Sequence, residues 1–154
     1  PKIHAELSGY DFIISIDGAI VTEIDNVVCG DAFLIEGQSN AEAYGNYPFR
    51  DRWVRTFGTA SSDPNACRAD TVWGVGAANM GPPSAHLHIG IWGLRMGHLI
   101  VENFGIPVCI INGAKGGTHI TQHLKDELNP YNLETIYGRH LYRTTKAGIK
   151  DKIK

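Results

Sequence analysis

Ser39 stands in Gly37-Gln38-Ser39-Asn40, directly after the apolar run Ala32-Phe33-Leu34-Ile35. A buried strand that breaks into glycine and then presents a serine is a common way to display a nucleophile in α/β hydrolytic enzymes. The glycine permits a sharp turn, and the hydroxyl arrives at the carboxyl edge of a sheet, where open α/β sheets bind ligands. Gly, Ser and Asn also make ordinary turns, so a second segment has to decide. Downstream, a second apolar run, Val108-Cys109-Ile110-Ile111, ends in Asn112-Gly113-Ala114-Lys115-Gly116-Gly117-Thr118. If the two runs are neighbouring parallel strands, both turns meet at one sheet edge. Ser39 Oγ is then the candidate nucleophile, and the backbone N–H groups of Ser39 and of Gly116 or Gly117 are candidate donors to a developing oxyanion.

The other residues that carry chemistry are weaker candidates. Gln38 and Asn112 join the oxyanion- and substrate-binding group as braces of their turns, and Asn40 reads the same way. None of the seven histidines stands in the context of a base for Ser39. His86 and His88 would share a strand face, but no third metal ligand sits near them. His119 reads as a loop residue, His98 as part of a helix's polar face and His140 as a helix-surface residue. Gly113-Ala114-Lys115-Gly116-Gly117-Thr118 lacks the Gly-Lys-Thr order of a phosphate loop. Gly74-Val75-Gly76-Ala77-Ala78-Asn79 lacks the last glycine of a dinucleotide fingerprint. Cys29, Cys67 and Cys109 are odd in number and not spaced for metal or a disulfide framework.

Several elements must position these groups. Phe12 to Ile16, the turn dipeptide Asp17-Gly18 and Ala19 to Ile24 predict a hairpin, with Asn26 to Cys29 as another short strand. Ala32 to Ile35 and Val108 to Ile111 read as strands covered on both faces. Tyr44 to about Pro83, rich in Gly, Pro, Asn, Asp and Ser, reads as a long loop carrying Tyr44, Tyr47, Phe49, Trp53, Phe57 and Trp73. Those aromatics either line a sugar-binding cleft or anchor the loop onto the core. Gly90 to Phe104 predicts a helix with Trp92, Met96, Leu99, Ile100 and Phe104 inward and Arg95, His98 and Glu102 outward, stopped at Gly105. Ile120 to Leu128 suggests a short helix. A last helix is expected from about Leu133 to the chain end, with Ile136, Leu141, Ile149 and Ile153 inward. The alternation predicts an α/β fold with a parallel sheet. Two strong strands cannot fill such a sheet, so further strands are expected after Lys154.

Bulk properties set the limits. The chain has 154 residues, 43% hydrophobic and 19% charged, with a formal charge of -2. This is about one domain, and a pI near 6.4 argues against nucleic acid as a partner. The lysines at 146, 150, 152 and 154 read as a solvated face. No apolar stretch approaches the ~20 residues of a membrane span, so no membrane partner is expected. No signal peptide is visible, and with a start at Pro1 rather than methionine the true amino terminus is expected to have been removed or never recorded.

The two blocks, Asp31-Ala32-Phe33-Leu34-Ile35-Glu36-Gly37-Gln38-Ser39-Asn40 and Asn112-Gly113-Ala114-Lys115-Gly116-Gly117-Thr118-His119-Ile120, resemble the sialate O-acetylesterase-like domain. That domain belongs to the carbohydrate acetylesterases of the SGNH-hydrolase superfamily. The first block resembles the family's Gly-Gln-Ser-Asn signature and the second its Gly-Gly-Thr turn. The resemblance implies an SGNH-like three-layer α/β fold, incomplete here: residues 1–28 form an accessory β segment, and residues 29–154 the amino-terminal part of the esterase domain. It implies that Ser39 removes acetyl groups from sugar hydroxyls through an acyl-enzyme. The Ser39 and Gly116 amides, or Gly117 in place of Gly116, would form the oxyanion hole, without metal or other cofactor. The expected partners are an acetylated carbohydrate and the remainder of the same polypeptide. The family also suggests an extracellular or periplasmic setting. The family's Gln-Gly-Glu and Asp-x-x-His blocks are not found in this sequence, so the base is expected outside it. The alternative from a different class is a non-catalytic carbohydrate-binding domain that keeps the serine turn for structure.

Overall fold

The computed structural model describes residues 2–45, 47–78 and 86–153. The Gly81-Pro82-Pro83-Ser84 part of the long segment and Asn79 lie outside the described residues. Strands β1 (Tyr10–Ile16) and β2 (Ala19–Val27) pair antiparallel. Asp17 and Gly18 between them both take positive φ, 51° and 82°, as a two-residue turn matched to the strand twist requires. The piece from Asn26 onward is the end of β2 rather than a separate strand. The hairpin is open to solvent: Ile13, Ile14, Ile16, Ile20, Val21 and Ile24 are all exposed. A side-chain bond from Arg55 Nη2 to Asn26 Oδ1, 2.9 Å, ties its base to the main body.

The main sheet is built from β3 (Asp31–Ile35), β4 (Val54–Phe57), β5 (Trp73–Val75) and β6 (Val108–Asn112), in the order β3-β6-β4-β5. β3 and β4 each run parallel to β6, whereas β5 is antiparallel to β4. Val108, Ile110 and Ile111 are buried although alternate side chains point to opposite faces, so β6 is covered from both sides. The two anticipated strands are therefore present and adjacent, with Ile35 opposite Asn112.

Three expectations are corrected. First, the segment from Tyr44 to Pro83 is not one loop: it holds β4, β5 and the six-residue helix α2 (Pro64–Ala69). α2 starts at an Asp63 cap with Pro64 in its first turn. These two strands bring the main sheet to four strands among the described residues. Phe57 is buried, and Tyr47, Phe49 and Trp53 pack on the core, which leaves Tyr44 and Trp73 as the exposed aromatics of that segment.

Second, α3 (Ile91–Phe104) has the expected span, and Met96 and Ile100 pack on the core as expected, but the most deeply buried positions are others. Gly93, Leu94, Gly97 and Val101 are buried, while Trp92, Leu99 and Phe104 are exposed. Gly93 and Gly97 lie against Ile35, Val54 and Ile110, so the helix axis comes closer to the sheet than larger residues would permit. Third, the last helix, α4, spans only Ile136–Lys146. Gly148 follows it, and Ile149 and Ile153 lie beyond the helix. Between β6 and α4, only Ile120–His123 is helical, as one 3-10 turn. Among the described residues no helix is long and apolar enough to cross a membrane.

Candidate active site

The short helix α1 (Ser39–Glu42) follows β3 directly, and Gln38 caps it. Gly37 takes φ 143°, a conformation that side chains resist, and this turns the chain out of the sheet. Ser39 is its first helical residue and is exposed. Its N–H and its hydroxyl both donate to Gln38 Oε1, at 3.0 and 2.7 Å. Gln38 thus holds the serine by a side chain that is itself exposed.

The second strand-end turn lies against this helix. A Cβ built on Gly116 would sit 3.6 Å from Ser39 Cβ and 3.7 Å from Ser39 Cα. The same Cβ would be 2.6 Å from Glu42 Oε2, so only glycine fits here without displacing a neighbour. The turn is sewn down by its amides. Gly113 N–H donates to Ile35 O, Lys115 N–H to Gly37 O, and Ala114 N–H to Asn112 Oδ1. The Asn112 amide donates to Ala41 O and Ile89 O, each at 3.0 Å. Asn112 is buried and its side chain bonds to backbone groups, so it braces the turn.

Gly116 departs from the oxyanion-hole expectation. Its N–H donates to the carboxylate of Glu42 at 2.6 Å. Glu42 is buried, and the ammonium of Lys115 stands 3.8 Å from its other oxygen. Burial, followed by hydrogen bonding to Glu42, pushes the Tyr44 phenol up to about 12. Gly117 is exposed with φ 75° and has open space around its Cα.

A second charged cluster sits under the same turns. Glu36, three residues before Ser39, meets His123 Nδ1 at 2.5 Å and His140 Nδ1 at 2.6 Å. Both imidazoles are largely buried, with 8% of each side chain exposed. Burial raises the Glu36 carboxyl, but the hydrogen bonds and charges of His140 and then His123 outweigh it, and the net shift is downward. Thr118 Oγ1 donates to Lys115 O and lies 2.8 Å from His123 Nε2. Glu36, His123 and Thr118 therefore link the end of β3 to the Gly116-Gly117-Thr118 turn.

His140 is thus not on a helix surface: it is buried beside Gly113, whose Cβ would fall 2.5 Å from His140 Nδ1. His86 pairs with Asp70 at 2.5 Å and His88 stacks on Tyr44, so their side chains go separate ways. His98 packs edge-on to Phe49 and lies 3.5 Å from Asp51, half-buried rather than on a free polar face. His119 precedes the 3-10 turn and is exposed. Trp92, read as a core residue, instead reaches the site: its indole N–H donates to Asn40 O at 2.8 Å, and it is 41% exposed.

Sequence reasoning missed Glu36, Glu42, His123 and the surface position of Trp92. A carboxylate on either side of the serine turn is visible in the sequence, but nothing there says that each closes on a residue 74 to 104 positions away.

No family model and no curated protein matches this sequence. Among solved structures, a protein from Arabidopsis thaliana is similar, with a TM-score of 0.54 and 14% identity over 80% of this chain and 53% of that one. A carbohydrate acetylesterase from Xanthomonas citri aligns with a TM-score of 0.47 and 22% identity over 83% of this chain and 32% of that one. The Arabidopsis likeness shows a shared mixed α/β fold. The chain spans well under two thirds of the length of either protein.

Proposed function

We propose that this chain carries the nucleophile and oxyanion side of a serine carbohydrate O-acetylesterase with an SGNH-like, sialate O-acetylesterase-like arrangement. The observation that supports this reading is the close approach of Gly116 to Ser39, whose Cβ and Cα would lie 3.6 and 3.7 Å from a Cβ built on Gly116. Ser39 is exposed just past the end of β3, and the glycine turn stands just past the end of the parallel β6. Ser39 Oγ attacks the acetyl carbonyl carbon while a base removes its proton. The negative oxygen so formed needs N–H donors, each worth about 10²–10³ in kcat. Collapse expels the sugar oxygen, which takes up the proton, and water then releases acetate from Ser39. Among the described residues the acceptor for the Ser39 hydroxyl is Gln38, a carbonyl oxygen and not a base. The base is assigned to sequence outside this chain.

The test is acetate release from acetylated sugars, or from an activated acetate ester, by a protein extended past Lys154. Ser39→Ala is expected to abolish turnover. Intact activity in that variant would remove Ser39 from the mechanism. Sugar binding without any turnover would favour the non-catalytic carbohydrate-binding reading.

A further inference from the structure

Glu42 is a buried carboxylate, and such a group is stable only when its oxygens are well provided with donors. It accepts from the Gly116 N–H at 2.6 Å, within the range of a charge-assisted bond, and is also hydrogen-bonded to Tyr44. That N–H belongs to the glycine whose Cβ position lies 3.6 Å from Ser39 Cβ. An acyl oxygen turning negative at Gly116 would compete with an ionised carboxylate for one proton and be repelled by it. Four successive amides of the turn are occupied: Gly113 by Ile35 O, Ala114 by Asn112 Oδ1, Lys115 by Gly37 O and Gly116 by Glu42. Gly117 comes next. Among the described residues its N–H has no acceptor, and it stands exposed on the turn.

We propose that Glu42 is a positioning residue: it takes up the Gly116 amide, fixes that turn against Ser39, and leaves Gly117 N–H as the turn's donor to the substrate oxyanion. The assignment rests on the reading of Ser39 as nucleophile. It makes Gly116 a spacer whose lack of a side chain, not its N–H, is what the site uses. It also explains why two glycines are needed in succession. The first permits the close approach to Ser39 and Glu42, and the second presents its amide from a left-handed turn.

Lys115-Gly116 is the one Lys-Gly step in this sequence and Gly116-Gly117 the one Gly-Gly step. Pairwise carbonyl-13C and amide-15N labelling confined to residues 1–154, joined to an unlabelled remainder of the protein, therefore resolves both amides by NMR. The Gly116 proton is expected far downfield in the free protein and moves upfield in Glu42→Gln. An alkyl fluorophosphonate, from which Ser39 Oγ displaces fluoride, then places a phosphonyl oxygen in the oxyanion position. Gly117 is expected to shift downfield on adduct formation while Gly116 stays in place. Glu42→Gln is expected to lower kcat about tenfold with KM little changed, the pattern of an interaction felt in the transition state.

A Gly116 resonance that ignores Glu42→Gln, or that moves when the adduct forms, overturns the proposal; the first comparison needs no ligand, and the wild-type adduct spectrum needs no variant to fold. Absence of the phosphonyl mass at Ser39 instead overturns the nucleophile reading, and with it the Gly117 assignment, while the free-protein spectrum still decides whether Glu42 holds Gly116.

Discussion

At the scale of single residues, the site is made of side chains that reach from one strand end to the other. Gln38 holds Ser39, Glu42 holds Gly116, and Glu36 grips both His123 and His140. Because the Glu36 carboxyl is lowered below its ordinary 4.5, its ionised form favours the folded state. That contribution is fully present above pH 4.5 and is lost as pH falls through the lower folded value. Thermal melts followed from pH 7 to pH 3 should therefore show acid destabilisation that is shallower in Glu36→Gln, with the variant less stable at neutral pH. Identical pH slopes in the two proteins would show that Glu36 does not carry the effect. The serine and the glycine turn were legible in the sequence because strand, glycine and hydroxyl are contiguous. Their partners were not. A Glu-His contact across 104 positions leaves no local pattern, and His140, spaced as a surface residue of a helix, is buried by the approach of Gly113.

At the scale of elements, α3 shows how a helix can be found and yet be turned the wrong way. Its span is legible from apolar content and the Gly105 stop. Its buried face is not, because Gly93 and Gly97 register as neutral in a hydrophobic pattern although they make the closest packing. The bulky Trp92, Leu99 and Phe104 are displaced outward, which brings the Trp92 indole to Asn40 at the rim of the site. A Cβ at Gly97 would fall 2.7 Å from Val54 Cγ1 and 3.1 Å from Ile110 Cδ1, both fully buried side chains. Gly97→Ala should gain ~1 kcal/mol in helix propensity but lose about 1–3 kcal/mol to overpacking. Packing wins, and Tm is expected to fall by roughly 2–4 °C for each kcal/mol lost in a domain of this size. A higher Tm would mean that α3 does not lie so close to the sheet. α4 is held from within as well: the buried Arg143 donates to Phe57 O and Asn112 O, which fastens the ends of β4 and β6 from one side chain. Burial lowers that guanidinium to about 10, which leaves it charged at neutral pH.

At the scale of the whole molecule, a four-stranded mixed sheet carries the site at one edge and an exposed hairpin stands apart from it. The α/β class and the adjacency of β3 and β6 were legible from two continuous apolar runs with similar endings. β4 and β5 were not, since four- and three-residue strands set among Gly, Asp and Ser offer too few positions for a period to emerge. With Ser39 answered by Gln38 alone among the described residues, the 154-residue chain by itself should show no Ser39-dependent ester hydrolysis, and a protein extended past Lys154 should gain it. Robust Ser39-dependent turnover by the shorter chain would place the base within these 154 residues. The central claim is that Ser39 accepts the acyl group. Its most direct test is to quench the extended protein during turnover of an activated acetate ester and map the acetylated peptide by mass spectrometry. One acetyl group is expected on the peptide containing Ser39, and none in Ser39→Ala, which should also be inactive. Sustained acetate release from a protein never acetylated at Ser39 would contradict the account.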